Sequence, residues 1–142
     1  MTDISIDKSR LQLDRIHGWL STTYWSPGIA RDLVERAIAG STCAGAYCDG
    51  TQIGFARAIT DGATFAWLAD VFVDEAARGQ GVGRAMVSHL VELPKLAGLR
   101  RWMLVTRDAH GVYQSLGFAP LDDATRYMER PANAAPLAVA NA

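Results

Sequence analysis

A chain of 142 residues with 14 Lys and Arg against 15 Asp and Glu has a formal net charge of −1. Such mixed signs offer no field for nucleic acid or for an anionic membrane surface, which leaves a small molecule as the expected partner class. One domain of this size buries roughly 68–70% of its unfolded surface, enough for a core without disulfide or metal staples.

In chain order, Ile4 and Ile6 alternate with polar neighbours as a short first strand, and Leu13, Ile16 and Leu20 then recur at helical spacing. Met1-Thr2-Asp3 begins no basic stretch followed by an apolar run, and no segment approaches the roughly 18 apolar residues of a membrane span, so a cytoplasmic protein is expected. Tyr24-Trp25-Ser26-Pro27-Gly28 interrupts the helical pattern as an aromatic elbow, and Ile29, Leu33, Val34, Ala37 and Ile38 form a second stripe that stops at Gly40. The period then changes. Ala44 to Cys48, Gln52 to Thr60 and Thr64 to Val73 read as strands separated by Asp49-Gly50 and Asp61-Gly62, an antiparallel meander with two tight turns. Cys43 and Cys48 lie on opposite faces of one such strand and cannot pair with each other.

Arg78-Gly79-Gln80-Gly81-Val82-Gly83 joins the third of these strands to a helical segment, Arg84 to Leu93. Ala85, Met86, His89, Leu90 and Leu93 give that helix an apolar stripe with a structural His89, and Pro94 stops it. Glycines at alternate positions remove Cβ atoms where a ligand approaches the main chain, and the helix aims its unpaired N–H groups and positive dipole end at the same space. This is the construction of a phosphate or pyrophosphate site. Gly83-Arg84-Ala85 lacks the Lys and hydroxyl of a nucleoside-triphosphate loop, and the position after a meander does not fit a dinucleotide fold. Trp102 to Val105 reads as a short buried strand, Ala109 to Leu116 as a helix closed by Gly117, and Phe118-Ala119 with Tyr127-Met128-Glu129 as a final strand pair. One domain over residues 1–130 is expected, with 131–142 a loosely ordered Ala/Pro-rich tail.

Val71 to Gly83, ending in Arg78-Gly79-Gln80-Gly81-Val82-Gly83, resembles the acetyl-CoA signature of the GNAT N-acetyltransferase superfamily. Ala109-His110-Gly111-Val112-Tyr113-Gln114-Ser115-Leu116-Gly117-Phe118 is similar to that superfamily's second signature. The resemblance covers Thr42 to Phe118 and implies an α/β (α+β) fold. Its mixed, mostly antiparallel sheet would have six to seven strands flanked by about four helices, with a splayed strand pair as the acetyl-CoA slot. It implies that the main chain of Arg78, Gly79, Gln80, Gly81, Val82 and Gly83 cradles the CoA pyrophosphate, with Arg84 beside it. It further implies that Phe72 and Val73 hold the pantetheine arm through their backbone, and that acetyl-CoA is the co-substrate with no metal. The family's usual Asn before the catalytic Tyr is Thr106 here, so that contact falls to Thr106 or Asp108.

Acetyl transfer to an amine needs a proton donor for the departing thiolate, and Tyr113 sits where the resemblance places it; a phenol near pKa 10 carries its proton at neutral pH. Asp70 and His110 are the candidate general bases, each with a structural alternative: Asp70 as an acid paired within the sheet, His110 as a helix cap or surface residue. His17 faces either the substrate or a helix contact. Tyr24, Trp25 and Trp67 are candidate substrate-binding aromatics, able to box a cationic amine, against core packing as the plainer role. The expected acceptor is a small-molecule amine or a protein amino group, and exposed strand edges near the C-terminus make a homodimer an expectation. A non-catalytic acyl-CoA-binding regulatory module is the competing function.

Overall fold

The period-two stretch between 42 and 73 becomes the middle of a five-stranded sheet, ordered β1-β2-β3-β4-β5, in a computed structural model that describes residues 2–138. Strands β1 (Asp3–Ser5), β2 (Thr42–Cys48), β3 (Thr51–Thr60) and β4 (Phe65–Val73) are antiparallel neighbours in sequence order. β5 (Arg101–Met103) returns parallel to β4 after a helical crossover. Both tight turns form as their residues dictate. Asp49 and Gly50 take φ of 50° and 80°, the pair of left-handed conformations a two-residue hairpin turn needs. At the second turn the Asp61 carboxylate accepts from the Thr64 and Ala63 N–H groups and the Thr64 hydroxyl, which holds its pKa well below the usual carboxylate range.

Two faces of the sheet receive two sets of helices, and the strand alternation decides which residue meets which. Cys43 and Phe55 point to α1 (Leu13–Leu20) and α2 (Arg31–Ala39), where they are buried with Ile16, Leu20 and Val34. Ala44, Ala46, Ala56 and Leu68 point the other way, onto Val82, Met86, Val87 and Leu90 of α3 (Val82–Val91). The side chains under α3 are small, so the helix sits close to the sheet. A Cβ on Gly54 would stand 2.8 Å from Met86 Cε and 3.3 Å from the Phe72 carbonyl oxygen. The α3 stripe differs from the expected one: Val82 and Val87 are buried, whereas Ala85 and His89 are exposed. The helix starts two residues earlier than expected, and its buried stripe is Val82, Met86, Val87 and Leu90, which leaves Ala85 and His89 on the outer side. The helix also ends at Val91, and Pro94 opens a separate 3-10 turn rather than stopping it.

After β5 comes a short helix, α4 (His110–Gln114), closed as expected by Gly117 at φ 91°, with the Phe118 N–H returning to the Tyr113 carbonyl. The expected final strands do not form, so the sheet has five strands and not six to seven. Pro120 lacks a donor, Ala124–Arg126 winds into a 3-10 turn, and residues 119–130 are exposed throughout, with Met128 97% accessible. Without a face to bury against, Tyr127-Met128-Glu129 has alternation but nothing to reward it. Of the expected tail, 131–138 forms no helix or strand, and 139–142 lie outside the described residues.

Phe55 is fully buried where the α1–α2 layer meets the sheet. Phe55→Ala is expected to destabilise the fold by about 3–5 kcal/mol in urea denaturation.

Candidate active site

The parallel pairing of β4 with β5 lasts only three residues, from Phe65 opposite Arg101 to Trp67 opposite Met103. Past that point Asp70 adopts φ 53°, and the register of β4 against β3 shifts between Phe55 and Arg57. This is a bulge held by a non-glycine residue in the left-handed region, a conformation that persists only where surrounding contacts fix it. Downstream of it, the β5-facing edge of β4 through Phe72 and Val73 has no strand partner among the described residues. An extended ligand can lie along that edge and take its hydrogen bonds.

The glycine loop closes one end of the slot. Gly79 and Gly81 have φ of 80° and 77°, and a Cβ on either would meet no heavy atom within 4 Å, so both open onto empty space. Gly81 is the N-cap of α3, whose first N–H groups have no intrahelical partner. Gly83 serves packing instead, since its Cβ would lie 3.5 Å from Val73 Cγ2. A cavity of about 490 Å³ lies here, lined by Val73, Arg78, Gly79, Gly81, Arg84 and Ser115 among others. Gln80 stands exposed on the loop. Two arginines brace the cavity: Arg78 Nε donates to the Val73 carbonyl at 3.0 Å, and Arg84 Nε donates to Ser115 Oγ on the far side, also at 3.0 Å. Backbone donors, a helix N-terminus, absent Cβ atoms and two guanidinium groups suit a pyrophosphate.

At the other end the aromatic elbow reaches the parted strands. Tyr113 of α4 is half-buried, edge-on to Phe118 at 5.9 Å, and its phenol is pushed up first by burial and then by the neighbouring Tyr24. Tyr24 meets Trp25 edge to face at 5.0 Å and carries the Arg107 guanidinium 3.9 Å above its ring. Trp25 Nε1 donates to Asp70 Oδ1 at 2.8 Å, while Arg57 Nε donates to Asp70 Oδ2 at 2.6 Å. Thus Asp70 bonds Trp25, Trp25 packs on Tyr24, and Tyr24 lies near enough to Tyr113 to push up its phenol, although Tyr24 and Tyr113 are 89 residues apart in sequence. The Phe72 ring stacks on Trp19 at 5.5 Å, on the α1 side of the sheet.

Other predicted residues fall elsewhere. Trp67 lies in the paired part of β4 opposite Ile59 and Met103, with no ring contact to the elbow among the described residues. His110 is exposed at the head of α4, and Asp108 is exposed beside it. The Thr106 hydroxyl accepts from the Ala109 N–H at 3.0 Å and so braces the start of α4. His17 Nε2 bonds the Ile29 carbonyl at 2.9 Å, tying the base of the elbow. Arg57 and Arg107 were not anticipated. The signal for Arg57 was a charge between Ala56 and Ala58, at the centre of a strand that otherwise reads as buried. A larger cavity, about 680 Å³, runs along β5 past Trp102, Leu104, Leu116 and Phe118; it takes in Thr106, His110 and Tyr113 but none of residues 78–84.

Fold and site together define a transferase arrangement built around a phosphate-bearing donor. Residues 39–120 match the family model for the acetyltransferase (GNAT) domain, more than half of the chain, and the chain belongs to that family. A Gibberella zeae protein named as an acetyltransferase is 35% identical, over 74% of this chain and 71% of that one. A solved GNAT-family structure from Xanthomonas campestris superposes with a TM-score of 0.89 at 45% identity, covering 92% of this chain and 93% of the other. The fold is also that of AAC(6')-Iy, solved with the bisubstrate analogue CoA-S-monomethyl-acetylneamine, at TM-score 0.68 and 22% identity over 92% and 99% of the two chains. As a member of this family the protein is an acetyl-CoA-dependent acetyltransferase.

Gly81→Ala puts a methyl group into the cradle and an L side chain at a left-handed φ. The expected outcome is a stability loss of about 1–2 kcal/mol, together with CoA binding weakened by about tenfold in calorimetry.

Proposed function

We propose that the protein transfers the acetyl group of acetyl-CoA to a primary amine of a small molecule or protein by direct attack, with Tyr113 as the acid for the departing CoA thiolate. The observation that carries this reading is the open glycine loop at the end of β4, whose β5-facing edge past Trp67 has no strand partner among the described residues, with α4 and its Tyr113 in the chain that follows β5. Bound along that edge, the donor would set its pyrophosphate against residues 78–83 and its pantetheine arm against the main chain of Phe72 and Val73.

The amine nitrogen bonds to the thioester carbonyl carbon, the C–S bond breaks, sulfur takes the proton that Tyr113 gives, and the Tyr113 phenolate regains a proton from water once the thiol has formed. The proton lost by the amine leaves through water at the mouth between Tyr24 and Trp25, which are 53% and 45% exposed. This route asks nothing of Asp70, whose two oxygens are already engaged by Trp25 and Arg57. It also leaves the exposed His110 outside the reaction. Tyr24 and Trp25 supply an aromatic wall for the acceptor, and their ring faces suit a cationic amine approaching before it loses its proton.

Because burial raises the Tyr113 pKa, the acid form persists through neutral pH and beyond the ordinary tyrosine range, near 10. Thiol release from acetyl-CoA, measured with a panel of neamine, spermidine and a lysine-containing peptide, is expected to require both donor and amine. Tyr113→Phe is expected to lower kcat by about 10²-fold or more with the acetyl-CoA KM nearly unchanged. Full turnover in Tyr113→Phe at every pH contradicts the acid role.

A further inference from the structure

We propose that Arg57 is a positioning residue for the acceptor: acting through Asp70, it fixes the Trp25 indole, and with it the Tyr24 ring, at the mouth of the site. The proposal rests on the acetyltransferase reading of that mouth.

The residues involved form one chain of polar contacts across four elements. The Ala37 carbonyl at the end of α2 accepts from Ser41 Oγ at 2.6 Å, and Ser41 Oγ accepts from an Arg57 terminal nitrogen at 3.0 Å. Arg57 Nε donates to Asp70 Oδ2 on β4, and Asp70 Oδ1 accepts from the Trp25 indole. Arg57 and Asp70 side chains are only 16% and 12% exposed, so the pair is largely desolvated. A buried ion pair is a weak stabiliser compared with apolar packing of the same volume. What it does well is fix geometry, because an acid holding two directional donors cannot rotate without losing one of them.

The loop that carries Tyr24 and Trp25 needs such an anchor. Its base is tied by the Gly28 N–H to the Ser21 carbonyl, by Ser26 Oγ to the Leu20 carbonyl, and by His17 to the Ile29 carbonyl. Its tip has no backbone hydrogen bond to the sheet among the described residues. The Trp25–Asp70 bond is what fastens the tip to β4, at the bulge where β4 leaves β5. A guanidinium on the neighbouring strand β3 therefore sets, through Asp70, where the acceptor's aromatic wall stands. Arg57 touches neither donor nor acceptor in this account.

The test compares the wild type with Arg57→Gln, Trp25→Phe and the double variant. In ¹H–¹⁵N spectra the Trp25 indole is assigned as the one that Trp25→Phe removes. Arg57→Gln is expected to move that indole resonance while those of Trp19, Trp67 and Trp102 stay in place. With whichever amine of the panel above the wild type acetylates fastest, each single variant is expected to raise the acceptor KM about tenfold, the effect of one lost hydrogen bond to a charged group. The acetyl-CoA KM and kcat should stay within about twofold. The double variant should be no worse than Arg57→Gln alone, since both cut the same chain of contacts. An unmoved Trp25 indole in Arg57→Gln, or an unchanged acceptor KM in both single variants, overturns the proposal. If Arg57→Gln loses all of its dispersed indole resonances, Arg57→Lys, which keeps the charge but not the fork, is measured in its place by the same criteria. A wild type that acetylates no amine of the panel counts against the acetyl-transfer reading instead, and the indole spectrum then decides the Arg57 proposal alone.

Discussion

The parting of β4 from β5 is the constraint on which the rest of the site depends. Two parallel strands that pair for three residues and then separate leave a row of backbone donors and acceptors facing a gap. Unpaired backbone of this kind needs a partner, and an extended ligand with amide groups of its own can supply one. The pairing ends at Trp67, Asp70 follows with a left-handed φ, and Arg57 and Trp25 from two other elements hold the Asp70 carboxylate there.

What lies at each end of the gap follows from packing. Ala44, Ala46, Ala56 and Gly54 form a low surface on which α3 settles closely, and that depth sets the N-terminus of α3 against the end of β4. The glycine loop spans the short distance between them. On the opposite face, the larger Phe55 packs against Ile16 and Leu20 of α1, whose loop to α2 then reaches Asp70 on β4. One face of the sheet thus places the glycine loop and the other places the Tyr24–Trp25 elbow, and the proposed reaction uses both, with Tyr113 as its acid.

The sequence made the middle of the fold legible because its signals are local. The two Asp-Gly turns, the period-two stretch between them and a helix after the glycine loop each follow from a few adjacent residues and appear in the structure, although α3 begins at Val82, two residues before the expected Arg84. The last two strands failed for the opposite reason. Phe118-Ala119 and Tyr127-Met128-Glu129 alternate like strands, but whether they pair depends on a neighbour and a buried face that no local pattern reports. The site divides in the same way. The glycine cradle was readable from spacing alone, and the aromatic elbow was visible as a break in a helical pattern. The link from Arg57 through Asp70 to Trp25 joins residues 13 and 45 apart and exists only once the sheet register is set.

The proposed donor site is the glycine cradle with the opened edge of β4, and not the larger cavity beside β5. Titrating CoA into ¹⁵N-labelled protein while following backbone amide resonances tests it directly. The account predicts that residues 78–83 shift and saturate together with Phe72 and Val73. Shifts confined to Trp102, Leu104, Leu116 and Phe118, with the glycine loop unmoved, would contradict it.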